Sequence, residues 1–61
     1  MTAIKVSLQD QIAEVKREIG MRQRVYIRLV AQNKMTPNDA ETFTRRMVAV
    51  LATLEGIRGQ A

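Results

Sequence analysis

A chain of 61 residues without cysteine or histidine forms at most one small domain, and it has neither a disulfide nor the side chains that most zinc sites use. Ten Lys and Arg against six Asp and Glu give a formal charge of +4, which favours an acidic partner such as nucleic acid or an acidic protein surface. The longest apolar run, 47–52, has six residues, whereas a membrane-spanning helix needs roughly 20. Because the first eight residues also lack the apolar region of a secretory signal, we expect a cytoplasmic protein with no membrane contact.

Catalysis is not expected from this composition. Nucleophilic and general acid–base chemistry at neutral pH usually draws on His or Cys, and both are absent. Asp10, Glu14 and Glu18 share one side of a predicted helix, and carboxylates there can hold a hard cation. A metal site needs ligands that converge from several directions, so a solvated helix face is the better interpretation. We therefore expect no enzyme, no cofactor and no metal site.

Apolar residues recur at helical spacing through the first half of the chain. The row is Leu8, Ile12, Val15, Ile19, Tyr26 and Leu29, and it is interrupted once, by Arg22. Ile4 and Val30 fall on the same side of a helical wheel, which predicts a first helix over about 4–33. Gly20 lies inside this helix and costs about 1 kcal/mol relative to alanine. A kink or a break at Gly20 is the alternative interpretation.

The segment from Asn33 to Asp39 carries the clearest signals for a helix end and a helix start. Asn33 can adopt the left-handed conformation that ends a helix. Thr36 is a preferred N-cap, Pro37 suits the first helical position, and Asp39 lies near the positive end of the helix dipole. No second start signal of this kind is expected in the chain. A short connection predicts that the two helices are antiparallel neighbours.

A second apolar row follows Pro37 with a regular alternation of three- and four-residue steps. Its members are Ala40, Phe43, Met47, Val50, Leu54 and Ile57, and Leu51 widens it on one side. The row predicts a second helix over 37–57, capped by Gly56 or Gly59, with 58–61 as a frayed tail. The expected fold is therefore all-α, an antiparallel helical hairpin in a single domain spanning 1–61.

The predicted helices differ in length, at about 44 Å and about 30 Å for 1.5 Å per residue. The second helix would then be too short to cover the start of the first, which predicts that a second copy covers it. Self-association is also the stabilising device left to a small chain without disulfide or metal. We expect a homodimeric four-helix bundle whose interface includes Ile4, Leu8, Ile12, Val15 and Arg22. The alternative is a three-helix monomer broken at Gly20.

A row of arginines lies off the apolar stripe of the first helix. Arg17, Arg24 and Arg28 fall within about 40° of one another on a helical wheel. The row can contact phosphates or an acidic protein, or it can be a solvated face partly paired with Glu14. One tyrosine, one phenylalanine and no tryptophan leave few platforms for base stacking, and no DNA-reading motif is present.

Two stretches of the chain carry a resemblance to known proteins. The residues 22–26 and 47–54 resemble those of small helical proteins of tailed phages and prophages. The hairpin from Tyr26 to Leu54 is similar to short bacterial C-terminal oligomerisation domains, although Pro37 and Ala40 stand where that family has acidic or aromatic residues. The resemblance implies a helical fold and a bacterial cytoplasmic setting, and it implies no site residues.

These features predict a non-enzymatic, self-associating protein-interaction module, encoded by a phage or prophage, with a protein partner. The alternative is a small basic accessory protein that binds nucleic acid through Arg17, Arg24 and Arg28.

Overall fold

The computed structural model describes residues 5–60 of the chain. In this range the chain forms two α-helices, α1 (Leu8–Ala31) and α2 (Pro37–Gln60), which pack against each other as a hairpin. Residues 5–60 contain no β-strand. The predicted all-α helical hairpin is confirmed. Neither helix in this range has the length and apolar character needed to cross a membrane.

α1 begins later than predicted because Ser7 caps it. The backbone of Ser7 is extended, and its Oγ accepts a hydrogen bond from the backbone N–H of Asp10 at 3.0 Å. Residues 5–7 are therefore not helical, and Ile4 lies outside the described residues. Ser7 and Asp10 have the same spacing as Thr36 and Asp39, so the expectation of a single start signal is wrong.

A residue with a left-handed backbone conformation, Asn33, follows the end of α1, as predicted. Asn33 has a φ of 59°, and its N–H donates to the carbonyl of Val30 at 3.1 Å. The N–H of Lys34 reaches back to the carbonyl of Leu29 at 2.8 Å. These two bonds form a Schellman motif, which satisfies carbonyls that the last turn of a helix leaves without partners.

α2 starts at the predicted residue, Pro37. Thr36 Oγ1 accepts from the N–H of Asp39 at 3.0 Å, and the Thr36 carbonyl accepts from the N–H of Ala40 at 3.1 Å. Pro37 has no N–H, and its position in the first turn is one where that donor would have no helical partner. The five residues between the helices therefore contain a complete stop signal and a complete start signal.

Both helices run through their glycines. α1 continues through Gly20 without interruption, so the three-helix alternative is wrong. α2 continues to Gln60, and neither Gly56 nor Gly59 ends it with a positive φ. Residues 58–60 thus belong to α2, which extends beyond its predicted end at residue 57, and Ala61 lies outside the described residues.

Two contacts define how the helices are aligned. Near the open end, Lys16 Nζ lies 3.9 Å from Glu55 Oε2. Near the turn, the rings of Tyr26 and Phe43 have centroids 6.1 Å apart. The register is therefore antiparallel, and it brings the level of residue 20 in α1 next to the level of residue 50 in α2.

The two helices are equal in length, with 24 residues each, or about 36 Å. In the observed register Ile12 lies level with the last turns of α2, and it is only 3% exposed. Leu8, one turn earlier, is half-buried. The prediction that the second helix is too short to cover Ile12 is wrong, because α2 continues to Gln60, whereas Leu8 lies just beyond the level of Gln60.

The face that α2 turns towards α1 differs from the predicted row. Half-buried residues on this face follow a three- and four-residue alternation: Ala40, Thr44, Met47, Leu51 and Leu54. Three members of the predicted row, Phe43, Val50 and Ile57, are exposed instead. α2 is thus rotated so that one edge of its apolar stripe lies outside the contact with α1.

Candidate interaction surfaces

The hairpin has a very small core. Among the described residues Ile12 is the one buried hydrophobic side chain, and no polar or charged side chain is buried. Two helices share a single line of contact, so each can cover only one strip of the other. Eight large hydrophobic side chains in the described range are exposed. The sequence therefore contains more apolar surface than one hairpin can cover.

The contact line divides the surface of the hairpin into two sides. One side holds an open groove of about 770 Å³ near the turn. Ile27, which is 72% exposed, lies at its edge, but Gln23, Glu41 and Arg45 also line it. Further along, the pair of Lys16 and Glu55 crosses the same side. We call this the groove side; apolar residues such as Tyr26, Val30 and Pro37 also line its groove, and the Lys16–Glu55 pair lies beyond it.

The opposite side, which we call the apolar side, carries the displaced edge of the α2 stripe. Phe43, Val50 and Ile57 are 37%, 46% and 49% exposed. They are spaced by seven residues, which keeps them in one line along a helix that packs against another. Val25 of α1 is also exposed and, at 100° per residue, lies on this side. The apolar side therefore carries a line of exposed apolar side chains along α2, with Val25 of α1 beside it.

An ion pair on α1 lies on the apolar side. Arg22 Nε donates to Glu18 Oε1 at 2.8 Å, one helical turn away. The pKa of Arg22 is raised above its ordinary value, first by this hydrogen bond and second by the hydroxyl of Tyr26. Arg22 was predicted at a core position, but its side chain is 45% exposed within the hairpin. It is therefore free to meet a partner molecule.

The predicted self-association residues differ in how far the hairpin buries them. Ile12 is buried against α2 of the same chain, and Leu8 and Val15 are half-buried. Ile4 lies outside the described residues, which leaves Arg22 as the predicted residue that faces solvent. The premise that α2 leaves Ile12 uncovered does not hold.

Phe43, Val50 and Ile57 are the candidate interface residues that were missed. The sequence indicated these residues through the width of the apolar stripe of α2. On a helical wheel Leu51 lies at one edge of this stripe, and Val50 and Ile57 lie at the other. A stripe that wide indicates two contacts, one with α1 and one with another molecule.

The predicted arginine row lies on the face of α1 that points away from α2. Arg17 bonds to Glu14 through two of its nitrogens, and this pairing raises the pKa of Arg17. Arg24 and Arg28 are exposed, and neither forms an ion pair with a carboxylate of residues 5–60. Glu14 therefore neutralises the charge of Arg17, whereas the charges of Arg24 and Arg28 have no ion-pair partner within residues 5–60.

The charge of the chain is unevenly placed along the hairpin. Residues 20–46, which form the half next to the turn, contain six basic and two acidic residues. The remaining residues contain four of each. The whole formal charge of +4 therefore belongs to the turn half, and the open half is balanced.

The carboxylates of α1 do not gather. Glu14 pairs with Arg17 and Glu18 with Arg22, each within its own helix. In the described range no three side chains among His, Cys, Asp and Glu come together in a way that could hold a metal ion. The interpretation of Asp10, Glu14 and Glu18 as a solvated face agrees with these pairings.

No family model matches this chain, and no curated protein or solved structure is significantly similar to it. The functional conclusion therefore depends on the surfaces described above.

Proposed function

We propose that this protein is a non-enzymatic helical module that self-associates and, as an assembly, binds a protein partner. One observation carries the proposal: within residues 5–60 the hairpin buries a single hydrophobic side chain, Ile12, while a heptad-spaced row of three stays exposed. Domains of this size are marginally stable when they fold alone, and they usually need a disulfide, a metal or association with another chain.

Covering the exposed row supplies stabilisation that the single hairpin lacks. Full burial of a Val, Ile or Phe side chain is worth about 1.5–3 kcal/mol, and Phe43, Val50 and Ile57 each still have a third to a half of their surface in water. In a symmetric dimer each such gain is made twice, because both copies contribute the same residues. Association therefore extends the core instead of adding a separate contact.

The test is the mass of the protein in solution. Sedimentation equilibrium and light scattering over a wide range of protein concentration should show a dimer or a larger closed assembly. The thermal midpoint should rise with protein concentration, because association favours the folded state by mass action. A strongly helical, stable monomer whose midpoint does not depend on concentration would contradict the proposal.

The protein partner and the setting form the second half of the proposal. The resemblance to phage and prophage proteins supports a bacterial cytoplasm as the setting, and the exposed apolar groups support a protein partner. Purification of the tagged protein from such a host should recover the same specific protein before and after nuclease treatment. Loss of all co-purifying material after nuclease would favour the second candidate function.

The second candidate is nucleic-acid binding through Arg17, Arg24 and Arg28. The observation that favours it is the concentration of the +4 charge in the turn half, which contains Arg24 and Arg28, together with the absence of ion pairs at these two arginines among the described residues. Each phosphate contacted adds about −0.9 to the slope of log affinity against log salt for duplex DNA. Three arginines in each copy of a dimer give a slope as steep as about −5.

A matched pair of triple variants tests this candidate. Arg17, Arg24 and Arg28 changed to Gln should flatten the salt slope, while Lys5, Lys16 and Arg58 changed to Gln remove the same charge from the open half. Under the protein-interaction proposal, DNA and RNA bind weakly and both variants weaken binding alike. Tight, salt-sensitive binding that only the first variant abolishes would establish the nucleic-acid function.

A further inference from the structure

We propose that the second copy docks on the apolar side, antiparallel to the first, about a two-fold axis that passes at the level of Val50. This inference rests on the proposed self-association and adds the surface, the direction and the register. The two turns then lie at opposite ends of a four-helix bundle, with α1 over α1 and α2 over α2.

The first support is the difference between the two sides of the hairpin. The apolar side presents Phe43, Val50 and Ile57 in one line, with Val25 beside them. The groove side presents Ile27 in a mainly apolar groove near the turn and Val48 further along, and beyond them the Lys16–Glu55 pair crosses it. The apolar surface of the groove side ends at that pair, whereas the exposed row of the apolar side runs along α2 from Phe43 to Ile57.

The second support is the symmetry of the exposed row. Phe43 and Ile57 lie seven residues on either side of Val50. A two-fold axis perpendicular to α2 at Val50 therefore places Phe43 opposite Ile57 of the second copy, and Val50 opposite Val50. The largest side chain of the row then meets a medium one at both ends, and the smallest meets its own copy at the centre. A parallel arrangement would instead place two phenylalanines at the same level.

The third support is the position of the ion pair on α1. Glu18 and Arg22 lie two residues on either side of position 20, and the observed register brings position 20 level with Val50. The same two-fold axis therefore places Glu18 opposite Arg22 of the second copy, and Arg22 opposite Glu18. Four alternating charges then lie at the centre of the α1 contact. A pair that is already formed within each helix needs no rearrangement to join this set.

The long-range charges favour the same direction. The turn half carries the whole charge of +4, and the open half is balanced. Antiparallel docking places each turn half next to a neutral open half, whereas parallel docking brings two charges of +4 together. Like charges that lie side by side in an assembly are destabilising, most strongly at low salt.

Cysteine cross-linking tests the inference directly, because the chain has no cysteine of its own. Four single variants are made at exposed positions: V50C at the centre of the row, F43C and I57C at its ends, and V48C on the groove side. Val48 and Val50 are 48% and 46% exposed, so V48C is a matched control for V50C. Circular dichroism and light scattering confirm that each variant keeps the helicity and mass of the unmodified protein.

Mild oxidation should cross-link V50C to itself and leave V48C as single chains. F43C alone and I57C alone should stay single, since antiparallel docking sets the two copies of each position about 21 Å apart along the axis, and a disulfide needs Cα atoms within about 7 Å. A mixture of F43C and I57C should form a mixed disulfide, which mass spectrometry identifies.

The outcomes separate this inference from the proposed function. Self-cross-linking of F43C or of I57C would show parallel docking, and cross-linking of V48C in place of V50C would show that the groove side is the interface. Either result would overturn the inference and leave self-association intact. If the unmodified protein is a monomer, the proposed function itself fails. If F43C loses the dimer mass, I57C alone still separates the two directions.

Discussion

The rings of Tyr26 and Phe43 pack across the hairpin with centroids 6.1 Å apart and planes inclined at 51°. The tilted geometry is one that aromatic pairs favour, because it brings the positive edge of one ring towards the negative face of the other. The guanidinium of Arg46 lies 5.9 Å from the centre of the Phe43 ring. Phe43 is thus shared between the end of α1 and the surface, which explains why it is the least exposed member of its row.

A double-mutant cycle should measure this contact. Tyr26→Leu and Phe43→Leu each remove a ring, and the pair should show a coupling energy of about 0.5–1.5 kcal/mol in urea denaturation at a single protein concentration. Tyr26→Phe is the control that keeps the ring and removes the hydroxyl. Additive effects of the two leucine variants would show that the two rings do not stabilise the hairpin through contact with each other.

Gly20→Ala should stabilise the protein by up to about 1 kcal/mol. Gly20 lies in the interior of α1, and a Cβ added there would meet no other atom within 4 Å. Gly59→Ala, close to the end of α2, is the matched control and should have a smaller effect because helix ends are less ordered. A lower thermal midpoint for Gly20→Ala would mean that α1 needs flexibility at this position.

Asn33→Gly should be neutral or stabilising, whereas Asn33→Ala should cost about 1 kcal/mol. The left-handed φ of 59° is free of strain for glycine and unfavourable for a residue with a Cβ, and asparagine tolerates it better than alanine. Asn38→Ala is the control, since Asn38 lies in the regular first turn of α2. Equal stabilities for the glycine and alanine variants in chemical denaturation would contradict the observed turn.

Ile12→Ala should be the most destabilising single truncation of an apolar side chain in the described range, at about 2–5 kcal/mol. Ile12 is 3% exposed and has no counterpart of equal burial in residues 5–60. Val6→Ala, at an exposed position just before α1, should have little effect. If Ile12→Ala changed only the mass of the assembly and left the denaturation midpoint of the hairpin unchanged, Ile12 would belong to the interface between copies.

Ser7→Ala and Thr36→Ala should each lower the stability by about 0.5–2 kcal/mol, because each removes the oxygen that accepts a helix N–H. Thr36→Ala should cost more, since fraying at Ser7 frees only the start of α1, whereas Thr36 also holds the turn. Thr36→Ser keeps the hydroxyl and should restore most of the loss. Far-ultraviolet circular dichroism during thermal unfolding gives the comparison.

Local signals in the sequence determined the ends of the helices at the turn. Thr36, Pro37 and Asn33 act through hydrogen bonds and dihedral angles within a few residues, so their effects do not depend on the rest of the fold. The same kind of signal at Ser7 and Asp10 was overlooked, because the apolar period continues to Ile4 and drew the predicted helix past its cap. The all-α class followed from the apolar periodicity, and the hairpin followed from the short connection between the two helices.

Only the tertiary structure decided which part of each apolar stripe is covered. The stripe of α2 is wider than the strip that one neighbouring helix can contact, so several rotations of α2 are compatible with the sequence. The observed rotation turns Ala40 and Thr44 towards α1 near the turn, where both also line the groove. Val50 and Ile57 are left at the edge as a result. The burial of each residue depends on how the surfaces of the two helices fit together. The apolar periodicity of one helix gives no information about the surface shape of the other.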